Sequence, residues 1–183
     1  IELKEKGLST LKPRSIWFDD TVQRLNVDGR GELLGEFKKE DRLLIINQKG
    51  LAKTVIPELT LRFDDDVIVL EKWDAQKPIS VIYWAGDKEL FYVKRFLVEN
   101  PDKEEMIITD SAGSYLEKVF VDYRPVAEVV FAKHRGKERE DNLKLHLEEF
   151  IAVKGVSAMG NQLTKGKVLE INALTPLEYT IPV

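Results

Sequence analysis

Three consecutive acidic side chains, Asp64-Asp65-Asp66, are the residues of this sequence best suited to hold a metal ion. Mg²⁺ prefers carboxylate oxygens, so an enzyme that uses these acids is one hypothesis. The run lacks the alternating acids and the glycine of a calcium-binding loop, and consecutive acids before a strand usually form a solvated turn. Asp19-Asp20 are likewise not expected to hold a metal ion. We therefore expect no metal ion and no cofactor, and the enzyme hypothesis stays an alternative.

Nucleophilic catalysis also has little support in the sequence. The histidines are His134 and His146, and no G-x-S-x-G or comparable nucleophile motif accompanies them. His146 alternates with leucines, as on a strand with one buried and one solvent-facing side. The chain has no cysteine, which excludes disulfides and thiolate metal sites and suits the cytoplasm. We expect no catalytic residue in this chain.

The basic residues are concentrated in one part of an otherwise acidic chain. The formal net charge is −4, yet residues 133–167 hold eight Lys or Arg against five acids. Lysine and arginine neutralise phosphates, and glycines let a backbone approach a phosphate closely. The stretch 148–168, EEFIAVKGVSAMGNQLTKGKV, places three lysines among three glycines. The residues predicted to bind DNA are Lys49, Lys53, Lys94, Arg95, Lys133, Arg135, Lys137, Lys154, Lys165 and Lys167.

The elements that would position these cations are predicted to be strands. Short β-branched and aromatic runs recur, whereas helical periodicity is scarce. The runs are Leu43–Ile46, Val67–Leu70, Ser80–Trp84, Leu90–Val98, Met106–Thr109, Ala127–Ala132, Leu145–Val153 and Val168–Ile171. This pattern predicts an all-β fold and argues against a doubly wound nucleotide-binding sheet.

Four of these runs lead into a glycine and then another strand, at 45–53, 82–90, 107–116 and 151–159. Glycine supplies the positive φ that many hairpin turns need, so the sequence predicts repeated hairpins. Blades of radial β folds have roughly 40–45 residues, which predicts about four blades and very little helix.

Aromatic residues offer a second way to contact nucleic acid. Trp17, Trp73, Trp84, Phe91 and Tyr92 could stack on the bases of a single strand. In an all-β protein such residues more often pack between strands, and we expect that role for them.

The length of 183 residues suits one domain, which we place over residues 1–183 with a lead-in segment and first blade elements in 1–37. The chain begins Ile-Glu-Leu-Lys, and we interpret it as a fragment of a longer protein. No apolar run approaches the roughly 18–20 residues that cross a bilayer, so we expect no membrane partner.

Several stretches together resemble the C-terminal domain of the A-type (breakage-reunion) chain of bacterial type IIA topoisomerases. They are LSTLKPRSIWFDDTVQRLNVDGRGELLGEF (8–37), DRLLIINQKGLAKTV (41–55), FYVKRFLVE (91–99) and LEEFIAVKGVSAMGNQL (147–163). The resemblance implies a β-pinwheel, a propeller-like fold whose positively charged outer edge bends duplex DNA. It also implies a non-catalytic domain that presents DNA segments for strand passage.

The likeness is closer to topoisomerase IV than to gyrase. The gyrase protein carries a Q-R-R-G-G-K-G box associated with DNA wrapping, and GVSAMGNQLTKGK keeps its glycines and lysines without the arginine pair. The resemblance implies that the parent is an ATP-dependent topoisomerase in the cytoplasm, associated with the nucleoid. It further implies three partners: duplex DNA, the B-type chain of the enzyme, and the N-terminal part of the A-type chain, which holds the catalytic tyrosine.

A different class of function also fits the residues. A β-propeller-like protein-interaction scaffold could use the same basic loop to meet an acidic partner. Salt separates the two hypotheses, because duplex binding weakens steeply with salt and a mainly apolar protein interface does not.

Overall fold

The computed structural model describes residues 12–133 and 136–180. Within these ranges the strands form four sheets, and the chain divides into two compact units. Of the described residues, the first unit combines 12–47, 51–74 and 100–105, and the second combines 48–50, 75–99, 106–133 and 136–180.

One sheet of the first unit has three antiparallel strands in the order β2-β1-β3. The strands are β1 (Arg14–Asp19), β2 (Arg24–Asn26) and β3 (Glu32–Phe37). The side chain of Asn26 shapes the turn that follows β2, since its Oδ1 accepts the N–H of Asp28 and its Nδ2 donates to the carbonyl of Arg30. The apolar runs identified in the sequence include none of these three strands, each of which buries one apolar residue: Ile16, Leu25 or Phe37.

The other sheet of the first unit has the order β6-β4-β5-β9. Its strands are β4 (Leu43–Asn47), β5 (Leu51–Val55), β6 (Val67–Lys72) and β9 (Glu104–Met106). The β4 run Leu43–Ile46 is buried on both faces, which explains why it is continuously apolar. Its side chains join those of β1 to β3 in one core made of Ile16, Leu25, Phe37, Leu43 and Ile45.

The second unit contains two sheets packed on one another. The first has β7 (Ile79–Ala85), β8 (Leu90–Phe96) and β10 (Tyr115–Phe120), with the short β13 (Val153–Lys154) and β14 (Asn161–Gln162) along the free edge of β8. The second has the order β12-β11-β15, from β11 (Val126–Phe131), β12 (Leu143–His146) and β15 (Val168–Leu174). Both sheets contribute to one core that includes Ile82, Val93, Val129, Phe131 and Ile171.

Two predicted strands have the wrong bounds. The prediction of one strand over Leu145–Val153 is wrong, because β12 ends at His146 and Leu147–Phe150 form one helical turn, α1. A short apolar run fits a buried helical turn as well as a strand, and periodicity alone does not separate them. The strand predicted at Met106–Thr109 is also wrong, because β9 ends at Met106.

Two of the four predicted hairpins are present. Residues 45–53 form the β4–β5 hairpin, which turns at Gly50 with φ of +94°, and residues 82–90 form the β7–β8 hairpin. The hairpins predicted at 107–116 and 151–159 are wrong. The strands that flank them pair elsewhere: β10 lies beside β7, and β13 runs parallel to β8.

Gly86 has a different role from the one its hairpin position predicts. The positive φ in that turn belongs to Glu89, at +53°. A Cβ on Gly86 would lie 1.9 Å from the carbonyl oxygen of Ala112. The N–H of Gly86 donates to Ser114 Oγ at 2.9 Å. Glycine is needed here for the close approach of two backbones.

The all-β prediction is confirmed, with α1 as the single helix of the described residues. The expectation of about four blades agrees in number with the four sheets, and their radial arrangement stays a prediction. The placement of all of residues 1–183 in one domain is also still a prediction. No helix in the described part of the chain is long and apolar enough to span a membrane.

Candidate nucleic-acid interface

Three of the predicted cations gather at one end of the β12-β11-β15 sheet. Lys133 follows β11, and Lys165 and Lys167 precede β15; all three side chains are exposed. The N–H of Ala132 donates to the carbonyl of Lys167 at 2.9 Å, which ties the two chain segments together. We call Lys133, Lys165 and Lys167 the end cluster. Lys137 is exposed in the loop that leaves this end of the sheet.

The turn that carries Lys165 and Lys167 is held in place by its backbone. The N–H of Leu163 donates to the carbonyl of Phe91 at 2.9 Å, and the N–H of Gly166 donates to Thr164 Oγ1 at 3.1 Å. A Cβ on Gly166 would lie 2.8 Å from the ring of Phe131 and 3.3 Å from Glu140 Oε2. The turn therefore packs closely on the core, with the lysines on either side of Gly166.

Lys154 lies elsewhere in the second unit. It belongs to β13 and pairs with Phe96, near the end of β8, whereas the Lys165 turn is bonded to Phe91 at the other end. Five residues of extended strand separate these positions by roughly 17 Å. Lys154 is exposed, so it offers a positive charge that is separate from the end cluster.

Lys94 and Arg95, which the sequence predicts to bind DNA, are buried. They are 4 % and 5 % exposed, and their charged groups donate to backbone carbonyls inside the protein. Lys94 Nζ donates to the carbonyl of Val156, and Arg95 Nη2 donates to that of Tyr123 at 2.7 Å. Burial lowers the pKa of Lys94 to about 8 and also lowers the pKa of Arg95. Their role is to hold neighbouring loops on β8.

The glycines of the basic stretch differ in role. Gly160 has φ of +89°, and a Cβ there would lie 2.2 Å from the carbonyl oxygen of Val93, so this loop packs tightly on β8. The hydroxyl of Tyr83 donates to the carbonyl of Met159 at 2.6 Å and fixes the same loop. Gly155, by contrast, has open space around it. Of these two glycines, Gly155 alone has the open backbone that the sequence predicts for phosphate approach.

The remaining predicted cations lie outside the end cluster. Lys49, in the β4–β5 turn, belongs to the second unit, and Lys53, on β5, belongs to the first; both are exposed. Arg135 lies outside the described residues.

The first unit contains a basic pocket that the sequence predictions missed. Its volume is about 520 Å³, and its lining joins four cations to three apolar or proline side chains. The cations are Lys12, Arg14, Lys38 and Lys39, and the other lining residues are Phe37, Ile56 and Pro57. We call this the four-cation pocket; no acid is among its described lining residues.

Strand pairing brings these cations together. Arg14 at the start of β1 pairs with Phe37 at the end of β3, so the residues just before β1 and just after β3 meet at one edge. Arg14 Nη2 also donates to the carbonyl of Pro57 at 3.2 Å. The nearby Asp41 accepts the Lys38 N–H and pairs with Lys72 at 3.4 Å, so its charge is already compensated. In the sequence, the pocket is indicated by two basic segments, Lys12-Pro13-Arg14 and Lys38-Lys39. That they lie together becomes evident only from the β1–β3 pairing.

The carboxylates considered for metal binding do not form a site. Asp64 and Asp65 are exposed, and Asp66 is half-buried before β6. Among residues 12–133 and 136–180, no group of three or more His, Asp or Glu side chains is placed to hold a metal ion.

Comparison with known proteins assigns the family. No curated protein sequence matches the chain. Among the solved structures similar to this chain is the crystal structure of the C-terminal domain of DNA topoisomerase IV, which aligns over 91 % of this chain at 10 % identity with a TM-score of 0.45. The alignment covers 64 % of that structure's chain. The sequence model of the topoisomerase C-terminal domain of Bacteroidota matches residues 24–175. Because that match spans most of the sequence, the chain belongs to the topoisomerase C-terminal domain family of Bacteroidota.

Proposed function

We propose that this chain binds and bends duplex DNA as a non-catalytic domain of the A-type chain of a type IIA topoisomerase, of the topoisomerase IV type. The observation that carries the proposal is the four-cation pocket, which collects Lys12, Arg14, Lys38 and Lys39 without an acid among its described lining residues. Such a group of cations suits the phosphates of a DNA backbone, whose neutralisation drives non-specific affinity.

The end cluster in the second unit supports the same function. Lys133, Lys165 and Lys167 are exposed. The turn that carries the last two is fixed by the bond from the Leu163 N–H to the Phe91 carbonyl and by the bond from the Gly166 N–H to Thr164 Oγ1. Lysines held on a fixed turn contact phosphates with less loss of side-chain and loop freedom on binding. Each unit therefore carries its own candidate phosphate-binding surface.

Binding through phosphate contacts does not depend on the base sequence of the DNA. The helix of the described residues is a single turn, Leu147–Phe150, which is too short to act as a recognition helix in a major groove. Lysine contacts to phosphates fix position without reading base edges. We expect the domain to bind duplexes of different sequence with similar affinity.

The proposal for the whole protein follows from the family. The parent would be an ATP-dependent type IIA topoisomerase of the cytoplasm, associated with the nucleoid. Its catalytic tyrosine would lie in the N-terminal part of the A-type chain, and the B-type chain would complete the enzyme. This domain would hold a DNA segment for strand passage and needs no cofactor for that role.

An electrophoretic titration of a fluorescent duplex against the wild type and a Lys38→Gln/Lys39→Gln variant tests the proposal. We expect the variant to bind at least about fivefold more weakly, because it loses two charges from the four-cation pocket. Arg62→Gln/Lys103→Gln removes two exposed charges from the same unit outside the pocket and is the matched control. Equal affinity of the pocket variant and the control would contradict the assignment and favour a protein-interaction scaffold.

A further inference from the structure

A half-open cavity of about 330 Å³ lies beside the end cluster in the second unit. Its apolar wall includes Trp84, Phe91 and Val168, and Lys165 and Lys167 line its basic side. Glu89 is the acid in its lining. The cavity therefore combines an aromatic wall with an excess of positive charge.

The aromatic wall is built by strand pairing. Trp84 on β7 pairs directly with Phe91 on β8, and their ring centroids are 4.9 Å apart with planes at 66°. Both side chains are partly exposed, unlike their fully buried neighbour Ala85. Tyr115, which pairs with Trp84 on its other side, is 38 % exposed. Aromatic surface thus stays open to solvent at this end of the sheet.

The two cavities that share the aromatic wall differ in the charge of their lining residues. A second cavity of about 390 Å³ shares Trp84, Phe91 and Val168 but is lined by Glu117 and Glu170. A phosphate is therefore favoured on the side of Lys165 and Lys167 and disfavoured on the other side. An anionic aromatic ligand would enter in one orientation, with its anionic group at the lysines.

We propose that this cavity binds an unpaired nucleotide of a DNA single strand, an activity additional to duplex binding. The phosphates would lie at Lys165 and Lys167, and the base would contact the aromatic wall at Trp84. Single-strand sites combine these two components, a basic surface for the backbone and aromatic faces for the bases. A base paired inside a duplex keeps its faces in the stack, so it cannot use Trp84 in this way.

The turn is already positioned for such a contact. The Leu163 N–H is bonded to the carbonyl of Phe91, and Gly166 packs on Phe131, so the lysines stand beside the aromatic wall without rearrangement. Glu140 Oε2 lies next to Gly166 and limits the net positive charge. A strand held here would be bound moderately and released readily, and the stacking is tolerant of base identity.

Tryptophan fluorescence provides the first test. A Trp17→Phe/Trp73→Phe variant leaves Trp84 as the remaining tryptophan of the chain. Titration with an oligothymidylate of about 12 nucleotides, within the usual site size of a single-strand binder, should quench its emission saturably. A blunt duplex of the same length should quench it far less. Unchanged emission with the oligothymidylate would overturn the proposal, and an apolar protein segment would then be the better occupant.

Anisotropy of a labelled oligothymidylate provides the second test. Trp84→Leu keeps an apolar side chain but removes the stacking face, and it should weaken binding at least about fivefold. Trp84→Phe keeps an aromatic face and should retain most of the affinity, which separates stacking from damage to the fold. Lys165→Gln/Lys167→Gln should also weaken binding. Equal affinity of wild type and Trp84→Leu, or equal losses in the Leu and Phe variants, would overturn the proposal.

The same variants separate this inference from the proposed function. Trp84→Leu should leave duplex affinity unchanged, because duplex binding uses exposed lysines and not the aromatic wall. A wild type that binds the oligothymidylate through Trp84 but fails to bind duplex would contradict the proposed function and support the pocket. If the wild type binds duplex but Trp84→Leu does not change the affinity for the oligothymidylate, the proposed function would be supported and the single-strand site would be contradicted.

Discussion

At the scale of single residues, burial decides which cations are structural and which are available to a ligand. The sequence predicts that both Lys94 and Lys165 contact DNA. Lys94 is 4 % exposed and bonded to the carbonyl of Val156, whereas Lys165 is exposed on a turn. The difference follows from strand position, since Lys94 faces the loop that crosses β8. Charge in the sequence therefore predicts a DNA contact only when the fold leaves the side chain outside.

The buried Lys94 gives the stability of the protein a specific pH dependence. Burial lowers its pKa from 10.5 to about 8, so between these values the unfolded chain binds more protons than the folded one. The free energy of unfolding should therefore rise from pH 8 to about pH 10, with a slope of up to about 1.4 kcal/mol per pH unit. Above pH 10 the rise should reverse, because burial raises the pKa of Tyr83 to about 12.

Urea titrations at pH 7.5, 8.5 and 9.5 would measure this slope. A Lys94→Met variant cannot titrate at this position, so its free energy of unfolding should lose the rise between pH 8 and pH 10. Parallel pH profiles for the wild type and the variant would show that Lys94 is not the group responsible.

Two glycines of the basic stretch should respond differently to the same substitution. Gly160→Ala should destabilise the protein by about 2 kcal/mol or more, because φ is +89° and the new Cβ would lie 2.2 Å from the carbonyl oxygen of Val93. Gly155→Ala meets open space and should change the free energy of unfolding by less than about 0.5 kcal/mol. Chemical denaturation of the pair checks this, and similar losses in both variants would contradict the packing described for the loop.

At the scale of elements, the sequence predicted strands well and their partners poorly. The apolar run Leu43–Ile46 matches β4, and Gly50 marks the hairpin after it, because both signals are local. The hairpins predicted at 107–116 and 151–159 failed because their strands pair with distant segments, which no local pattern encodes. The four-cation pocket was missed for the same reason, since Arg14 and Phe37 meet only through β1–β3 pairing.

The lysines near β8 provide a prediction at this scale. Replacing Lys154, Lys165 and Lys167 together with Ala should weaken duplex binding and flatten its salt slope by at most about 0.9 per lost phosphate contact. The thermal midpoint should barely move, because exposed lysines contribute little to folding. Fluorescence anisotropy at several salt concentrations, with a thermal melt of each protein, measures both.

The matched control is Asp64→Asn/Asp65→Asn/Asp66→Asn, which changes three charges of the opposite sign before β6. It should bind duplex at least as tightly as the wild type. An unchanged affinity and salt slope in the lysine variant would show that this part of the second unit does not contact DNA.

At the scale of the whole molecule, the chain is acidic overall but has local basic surfaces. The formal net charge of −4 argues against general adhesion to nucleic acid. Local groups such as the four-cation pocket and the end cluster would instead limit binding to a few phosphate contacts. A domain that holds DNA moderately can release it after each strand passage, which suits the role we propose for it.

The dependence of duplex affinity on salt is the decisive measurement of DNA binding by this chain. The association constant of the wild-type chain for a duplex of random sequence should be measured between about 50 and 200 mM monovalent salt. We predict that log K falls linearly with log salt concentration, with a slope steeper than about −2.7, equivalent to three phosphate contacts in B-DNA. Duplexes of different sequence should give the same line. A slope near zero, or no detectable binding at the lowest salt, would contradict the assignment of this chain as a DNA-binding domain.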